Sequence, residues 1–178
     1  YSPADNPSPI NIYGTTKYKA EIAVREAVDD HIILRCPKIF GVSETNCVED
    51  LTVSILEKLT TNEVVGLDDT TERYPVFVDD IAAAIQRLLD IDARGIYHIS
   101  TDTPYTKYEF GLKVSQIFDV SGDIVPVEGS PLVERPSGIR LDSTTLSRLG
   151  IDITPVDSAL DIIKHQKACS FRKIYSFK

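Results

Sequence analysis

Tyr13-Gly14-Thr15-Thr16-Lys17 is the stretch on which the reading of this chain turns. A tyrosine and a lysine separated by a little more than one helical turn share a face, provided the helix has begun by Tyr13, and can then meet one ligand. An ammonium beside a phenol favours the phenolate, which suits the pair to proton transfer to or from a carbonyl or an alcohol. Alone, Y-x-x-x-K is a weak motif, and its neighbours give it weight. Upstream, Tyr1-Ser2-Pro3-Ala4-Asp5-Asn6-Pro7-Ser8-Pro9 is punctuated by proline and can be neither helix nor central strand. Downstream, Lys17 to Val28 sets Ala20, Ala23, Val24, Ala27 and Val28 on one side and Lys19, Arg25 and Glu26 largely on another, the pattern of an amphipathic helix. Ile32-Ile33-Leu34 is too short for a helix and rich in β-branched residues, so it reads as a buried parallel strand. Arg35 to Gly41 leaves that strand at its carboxyl end, where open α/β sheets collect their ligands.

The remainder reads as mixed α/β. Leu51, Ile55, Leu56 and Leu59 recur at helical spacing within Val48 to Leu59, and Val64 to Leu67 is a short strand that runs into a surface loop of Asp68, Asp69, Thr70, Thr71 and Glu72. Asp79 or Asp80 is expected to cap a helix reaching about Leu89, with Ile81, Ala84, Ile85 and Leu88 toward the core, and neither aspartate is assigned to catalysis. Next come a strand at Ile96 to Ile99 and a helix from Lys107 to Phe118 that opens at Thr106. A strand at Ile124 to Val127, a helix from Ser143 to Leu149 and a last helix from about Pro155 to Lys167 complete the chain.

Composition narrows the function. A net charge of −8 without a basic patch argues against a nucleic-acid partner. No apolar run approaches the length that crosses a bilayer, and the proline-rich start is unlike a signal peptide, so no membrane role and a cytoplasmic location are expected. Cys36, Cys47 and Cys169 are widely spaced without C-x-x-C and fit reduced thiols. His31, His98 and His165 stand at no metal-ligand spacing, and no metal is expected.

Several ordered motifs extend the reading beyond the tyrosine and lysine. They are Pro7-x-Pro9-x-Asn11-x-Tyr13-Gly14-x-Thr16-Lys17 with Glu21, then Leu34-Arg35-x-Pro37-x-x-Phe40-Gly41, and Arg73-Tyr74-Pro75-x-Phe77-Val78-x-Asp80-Ile81-Ala82. Gly95-Ile96-Tyr97-His98-Ile99-Ser100, Thr106-Lys107-Tyr108-Glu109, Arg135-Pro136, Leu141-Asp142 and Leu149-Gly150 follow. On these residues the chain resembles, nearly end to end, the extended short-chain dehydrogenase/reductases, and among them the dTDP-4-dehydrorhamnose reductase branch. The resemblance implies the C-terminal part of an NAD(P)-binding Rossmann-type fold plus a small α/β substrate-binding lobe. Residues 1–70 would be the remnant of the dinucleotide-binding domain, and residues 71–178 mainly the substrate lobe, with a helix at 80–90 packing back on the first. It further implies hydride transfer between NADP or NAD and a 4-keto sugar nucleotide. Tyr13 would be the general acid, Lys17 would support the phenolate and hold the nicotinamide ribose, and Pro37 and Ile39 would lie against the nicotinamide. Arg73 would approach the substrate diphosphate, for which a guanidinium has matching donors, and Arg135 in the loop from Gly129 to Gly138 would close on the same ligand.

The family's glycine-rich phosphate fingerprint belongs far upstream of the tyrosine, and no G-x-x-G-x-x-G occurs in this sequence. The chain also contains no methionine and opens inside a loop. It is therefore expected to be the C-terminal part of a longer protein and inactive without the preceding half. A second branch is also similar: the non-catalytic regulatory β subunit of methionine adenosyltransferase. Its implied partner is a methionine adenosyltransferase catalytic subunit in place of a nucleotide-sugar substrate, and a homo-oligomer is compatible with either reading. The tail from Ser170 to Lys178, carrying Phe171, Ile174, Tyr175 and Phe177, would be either a docking peptide or a last element packed on its own lobe. The intact Tyr13/Lys17 pair favours the reductase.

Overall fold

A computed structural model of the chain describes residues 1–41, 51–61, 64–129 and 136–174, without the side chains of residue 51 and residues 167–174. Helix α1 (Ile12–Ala27) begins before Tyr13, because Asn11 Oδ1 accepts the Gly14 amide at 2.8 Å and caps the first turn. Strand β1 (Ile32–Arg35), strand β2 (Ile39–Phe40) and helix α2 (Leu51–Thr60) follow. Then come β3 (Val65–Asp68), β4 (Val76–Phe77), α3 (Val78–Asp90) and β5 (Gly95–His98). The chain continues through α4 (Lys107–Phe118), β6 (Ile124–Val127), α5 (Thr144–Arg148) and α6 (Val156–Ile174).

Among the described residues the strand pairs are parallel: β1 with β5, β2 with β4, and β3 with β6. Parallel pairing requires helical crossovers, which α2, α3 and α4 supply. Two apolar clusters result. One joins Ile55, Leu59, Val65, Leu67, Phe110, Val114, Leu160 and Ile163 from α2, β3, α4 and α6, with Phe40 and Phe77 between them. The other joins Val76, Ala84, Leu88, Ile99, Leu146 and Ile151, with Ile32 and Leu34 of β1 packed against it. Gly111 is where α4 presses closest on β3, since a Cβ there would collide with the Leu67 side chain.

Several expectations are corrected. Neither Asp79 nor Asp80 caps α3: the N-cap position is Phe77, which offers no side-chain acceptor, because β4 passes directly into the helix. Asp80 instead turns inward and accepts hydrogen bonds from Thr154 N at 2.8 Å and Thr154 Oγ1 at 2.7 Å, tying the segment before α6 to the start of α3. Ile85 is 46% exposed, facing away from the core that Ala84 and Leu88 enter. The apolar side of α1 is uncovered, and no residue of that helix is buried. The last helix continues past Lys167 to Ile174, and residues 175–178 lie outside the described part.

Candidate functional site

The N-terminal turns of α1 display Tyr13, Lys17 and Glu21 at successive four-residue steps on one side. Lys17 Nζ stands 5.5 Å from the centroid of the Tyr13 ring, in cation–π range, so the two side chains are neighbours as their spacing requires. Tyr13 is 71% exposed, and among the described residues no hydrogen bond engages its hydroxyl or the Lys17 ammonium. An unengaged phenol and ammonium, side by side, form a donor set that fits the hydroxyls of a ribose.

Below them the helix is fastened to β1. Glu21 accepts Arg35 Nε at 2.9 Å and Arg35 Nη2 at 2.7 Å, a two-pronged ion pair. The third guanidinium nitrogen, Nη1, lies 3.4 Å from His98 Nε2, opposite Arg35 in the β1–β5 ladder. Since arginine can only donate, His98 Nε2 accepts and the imidazole proton belongs on Nδ1, which is buried without a hydrogen-bond partner. Burial, followed by the Arg35 charge, depresses the His98 pKa. The next residue, Cys36, has its thiol pKa raised by burial, with the Lys17 charge working in opposition. The charge of Lys17 therefore reaches the start of the segment that carries Pro37 and leads into β2, whose first residue, Ile39, is 42% exposed.

Arg73 occupies different surroundings. Its backbone pairs with Tyr105, Nη2 donates to Asp68 Oδ2 at 3.1 Å, and Nη1 donates to the Thr71 carbonyl at 2.9 Å. Burial alone would raise the Asp68 pKa. Hydrogen bonds from Thr70, then Arg73 and Thr71, outweigh it and hold the carboxyl far below the usual range. Asp68, expected in a surface loop, is thus the last residue of β3 and an internal anchor for Arg73. Among the described residues no hydrogen bond or ion pair joins Arg73 to Tyr13 or Lys17. Arg135 lies outside the described residues. Sequence reasoning also passed over Arg35 and His98 as parts of the site. The available signal was Glu21, on the Tyr13/Lys17 face and needing a cation.

A cavity of about 670 Å³ lies elsewhere, among Tyr1, Tyr105, Arg140, Asp142, Ser143 and Thr154, and is lined by none of Tyr13, Lys17, Pro37, Ile39 and Arg73. Three of its hydroxyls are committed internally, Ser143 to the Ser100 carbonyl, Thr144 to Asp142 and Thr154 to Asp80. Among the described residues no group of three or more His, Cys, Asp or Glu side chains could hold a metal ion, and no helix is long and apolar enough to cross a membrane.

The family model for the RmlD substrate binding domain matches residues 1–167. The chain belongs to this family. The RmlD-type domain is 33% identical over 159 residues to methionine adenosyltransferase 2 subunit beta of Rattus norvegicus, covering 85% of this chain and 48% of that protein. It is 34% identical over 161 residues to the Bos taurus protein of the same name. With the probable low-salt glycan biosynthesis reductase Agl14 of Haloferax volcanii it shares 27% identity over 140 residues, covering 77% of this chain and 46% of that protein. The chain thus spans about half the length of these curated relatives. In structure it is similar to dTDP-4-dehydrorhamnose reductase of Bacillus anthracis solved with NADP, at a TM-score of 0.84 and 22% identity, over 93% of this chain and 59% of that one. UDP-glucose 4-epimerase of Thermotoga maritima, solved with UDP-glucose, follows the same fold at a TM-score of 0.77 and 19% identity, over 96% of this chain and 58% of that one. The RmlD-type domain therefore has the mixed α/β, Rossmann-type fold expected from its sequence.

Proposed function

We propose that this chain is the C-terminal part of a nicotinamide-dinucleotide-binding protein that serves as a β-type subunit for a methionine adenosyltransferase catalytic subunit. The observation that carries this reading is the identity of 33–34% across 85% of the chain to proteins of that name, against 27% to the reductase Agl14. In it, Tyr13 and Lys17 hold the nicotinamide ribose and Pro37 and Ile39 line the nicotinamide side. The dinucleotide would be NADP or NAD, bound mainly by a half of the protein that precedes Tyr1. When bound, such a cofactor supplies hydride chemistry. This chain's own residues supply hydroxyl recognition and a proton donor.

A second reading is favoured by one specific observation, the Tyr13/Lys17 geometry at 5.5 Å with both polar ends unengaged. On that reading the protein is a sugar-nucleotide reductase in which Tyr13 protonates the oxygen of a 4-keto sugar while Arg73, held by Asp68, and Arg135 meet the diphosphate. Two assays on the full-length protein separate the readings: oxidation of NADPH or NADH with a dTDP-4-keto-deoxysugar, and co-purification with a methionine adenosyltransferase catalytic subunit. The β-type role is expected to give a stoichiometric complex and no turnover. Turnover that falls about 10²- to 10⁴-fold in Tyr13→Phe, with dinucleotide affinity retained, would instead establish the reductase.

A further inference from the structure

We propose that Arg35 is the positioning residue for the Tyr13/Lys17 pair, holding α1 in place through its two-pronged grip on Glu21 with His98 bracing the guanidinium from β5. The assignment rests on reading Tyr13 and Lys17 as the groups that hold the nicotinamide half of a dinucleotide, which both functions above require.

Helix α1 has no fully buried residue, Ile12 and Val24 are 86% and 42% exposed, and only Tyr18 and Ile22 among its larger apolar side chains are half-buried, so apolar packing among the described residues constrains its rotation weakly. What sets it is polar and concentrated in one place. All three guanidinium nitrogens of Arg35 are occupied: Nε and Nη2 by the two Glu21 oxygens, at 2.9 and 2.7 Å, and Nη1 by His98 at 3.4 Å. The side chains of Arg35 and Glu21 are each only 18% exposed, so water competes weakly for the pair. A planar fork meeting a carboxylate fixes direction as well as distance, and a lysine, being a point charge, cannot reproduce it. His98 is 2% exposed and faces Arg35 across the strand ladder, limiting how far the guanidinium can swing.

The contacts also define a register between helix and strand. Glu21 meets Arg35 at the end of β1, and the charge of Lys17, one turn earlier on the helix, is felt at Cys36, the first residue after the strand. The two elements therefore run in opposite senses, and Tyr13 follows in the same series. Each four-residue step on a helix rotates the side chain by only about 40°, so a grip at Glu21 constrains Lys17 and Tyr13 directly. Releasing that grip lets α1 turn about its axis and carries the pair away from the loop after β1.

The test uses Glu21→Gln, Arg35→Lys and their double variant in the full-length protein, with two readouts. Hydrogen exchange of the α1 amides is compared with that of β3 and β6. Affinity is measured for the preferred dinucleotide, NADPH or NADH, and for the matching adenine-side fragment, 2′,5′-ADP or ADP. Positioning predicts that each single variant exchanges about ten-fold faster in α1 with β3 and β6 unchanged. It also predicts dinucleotide affinity about ten-fold lower with the adenine-side fragment bound as before, and a double variant no worse than either single one. Unchanged α1 exchange in the near-isosteric Glu21→Gln variant overturns the proposal, as does equal weakening of dinucleotide and fragment, which marks a merely structural role. A parent protein that binds no dinucleotide overturns the cofactor reading on which the assignment rests, and the exchange data then still show whether Arg35 holds α1.

Discussion

His98 shows how one residue's surroundings decide its behaviour. It is buried beside Arg35, accepts on Nε2 and leaves Nδ1 without a partner, so its neutral form is the one the folded chain accommodates. Its folded pKa is depressed below the ordinary 6.5, with burial the largest cause and Arg35 the next. Between those two values the unfolded chain binds more protons than the folded one, so stability is full above about pH 6.5 and falls as pH drops through that range. Thermal melts of the chain and of His98→Gln from pH 7.5 to 5.5 check this. The parent is expected to lose stability on acidification, and the non-titrating variant to show a flatter profile. At the same scale, Tyr13 and Lys17 were legible because their spacing alone forces them together once a helix forms. Arg35 was not, because its partners Glu21 and His98 are 14 and 63 residues away in sequence.

Among the elements, α4 is the one whose start is written most plainly in the sequence. Thr106 Oγ1 accepts the Glu109 amide at 3.1 Å while a Glu109 carboxylate oxygen accepts the Thr106 amide at 2.9 Å, a reciprocal capping box. Thr106 Oγ1 also donates to Asp69 at 2.8 Å, which links the helix start to the loop after β3. Thr106→Ala removes both contacts and is expected to cost about 1 kcal/mol, with Thr106→Ser close to the parent, as read from denaturant midpoints. Helix α3 was located correctly from its apolar spacing, yet its start was misread. A capping aspartate and an aspartate one turn inside look alike in sequence, and the partner that distinguishes Asp80, Thr154, comes from a loop 74 residues away. Helix α1 gives the opposite lesson: a helix forms where the periodicity predicts one, but the pattern cannot say what covers the apolar side, and among the described residues nothing buries it.

For the molecule as a whole, the two apolar clusters draw on interleaved parts of the chain, β1, α3, β5 and α5 in one and α2, β3, α4 and α6 in the other. Ile163→Val in the first and Ile99→Val in the second are each expected to cost about 0.5–1.5 kcal/mol. Their double variant should equal the sum to within about 0.5 kcal/mol, because the residues share no cluster; a larger coupling in denaturant titrations would mean the cores communicate. By itself the sequence determined the α/β class, the Tyr13/Lys17 pair and the types of the longer elements, though not the two-residue strands β2 and β4, since these readings follow from period, turn chemistry and local spacing. Tertiary structure alone decided that Arg73 is anchored by Asp68, that Asp80 clasps Thr154, and that Arg35 grips α1 with His98 behind it. The physical reason is that hydrophobic periodicity is a property of neighbouring residues, whereas the partner of a partly buried charge is chosen by whichever distant segment the fold brings within hydrogen-bond reach.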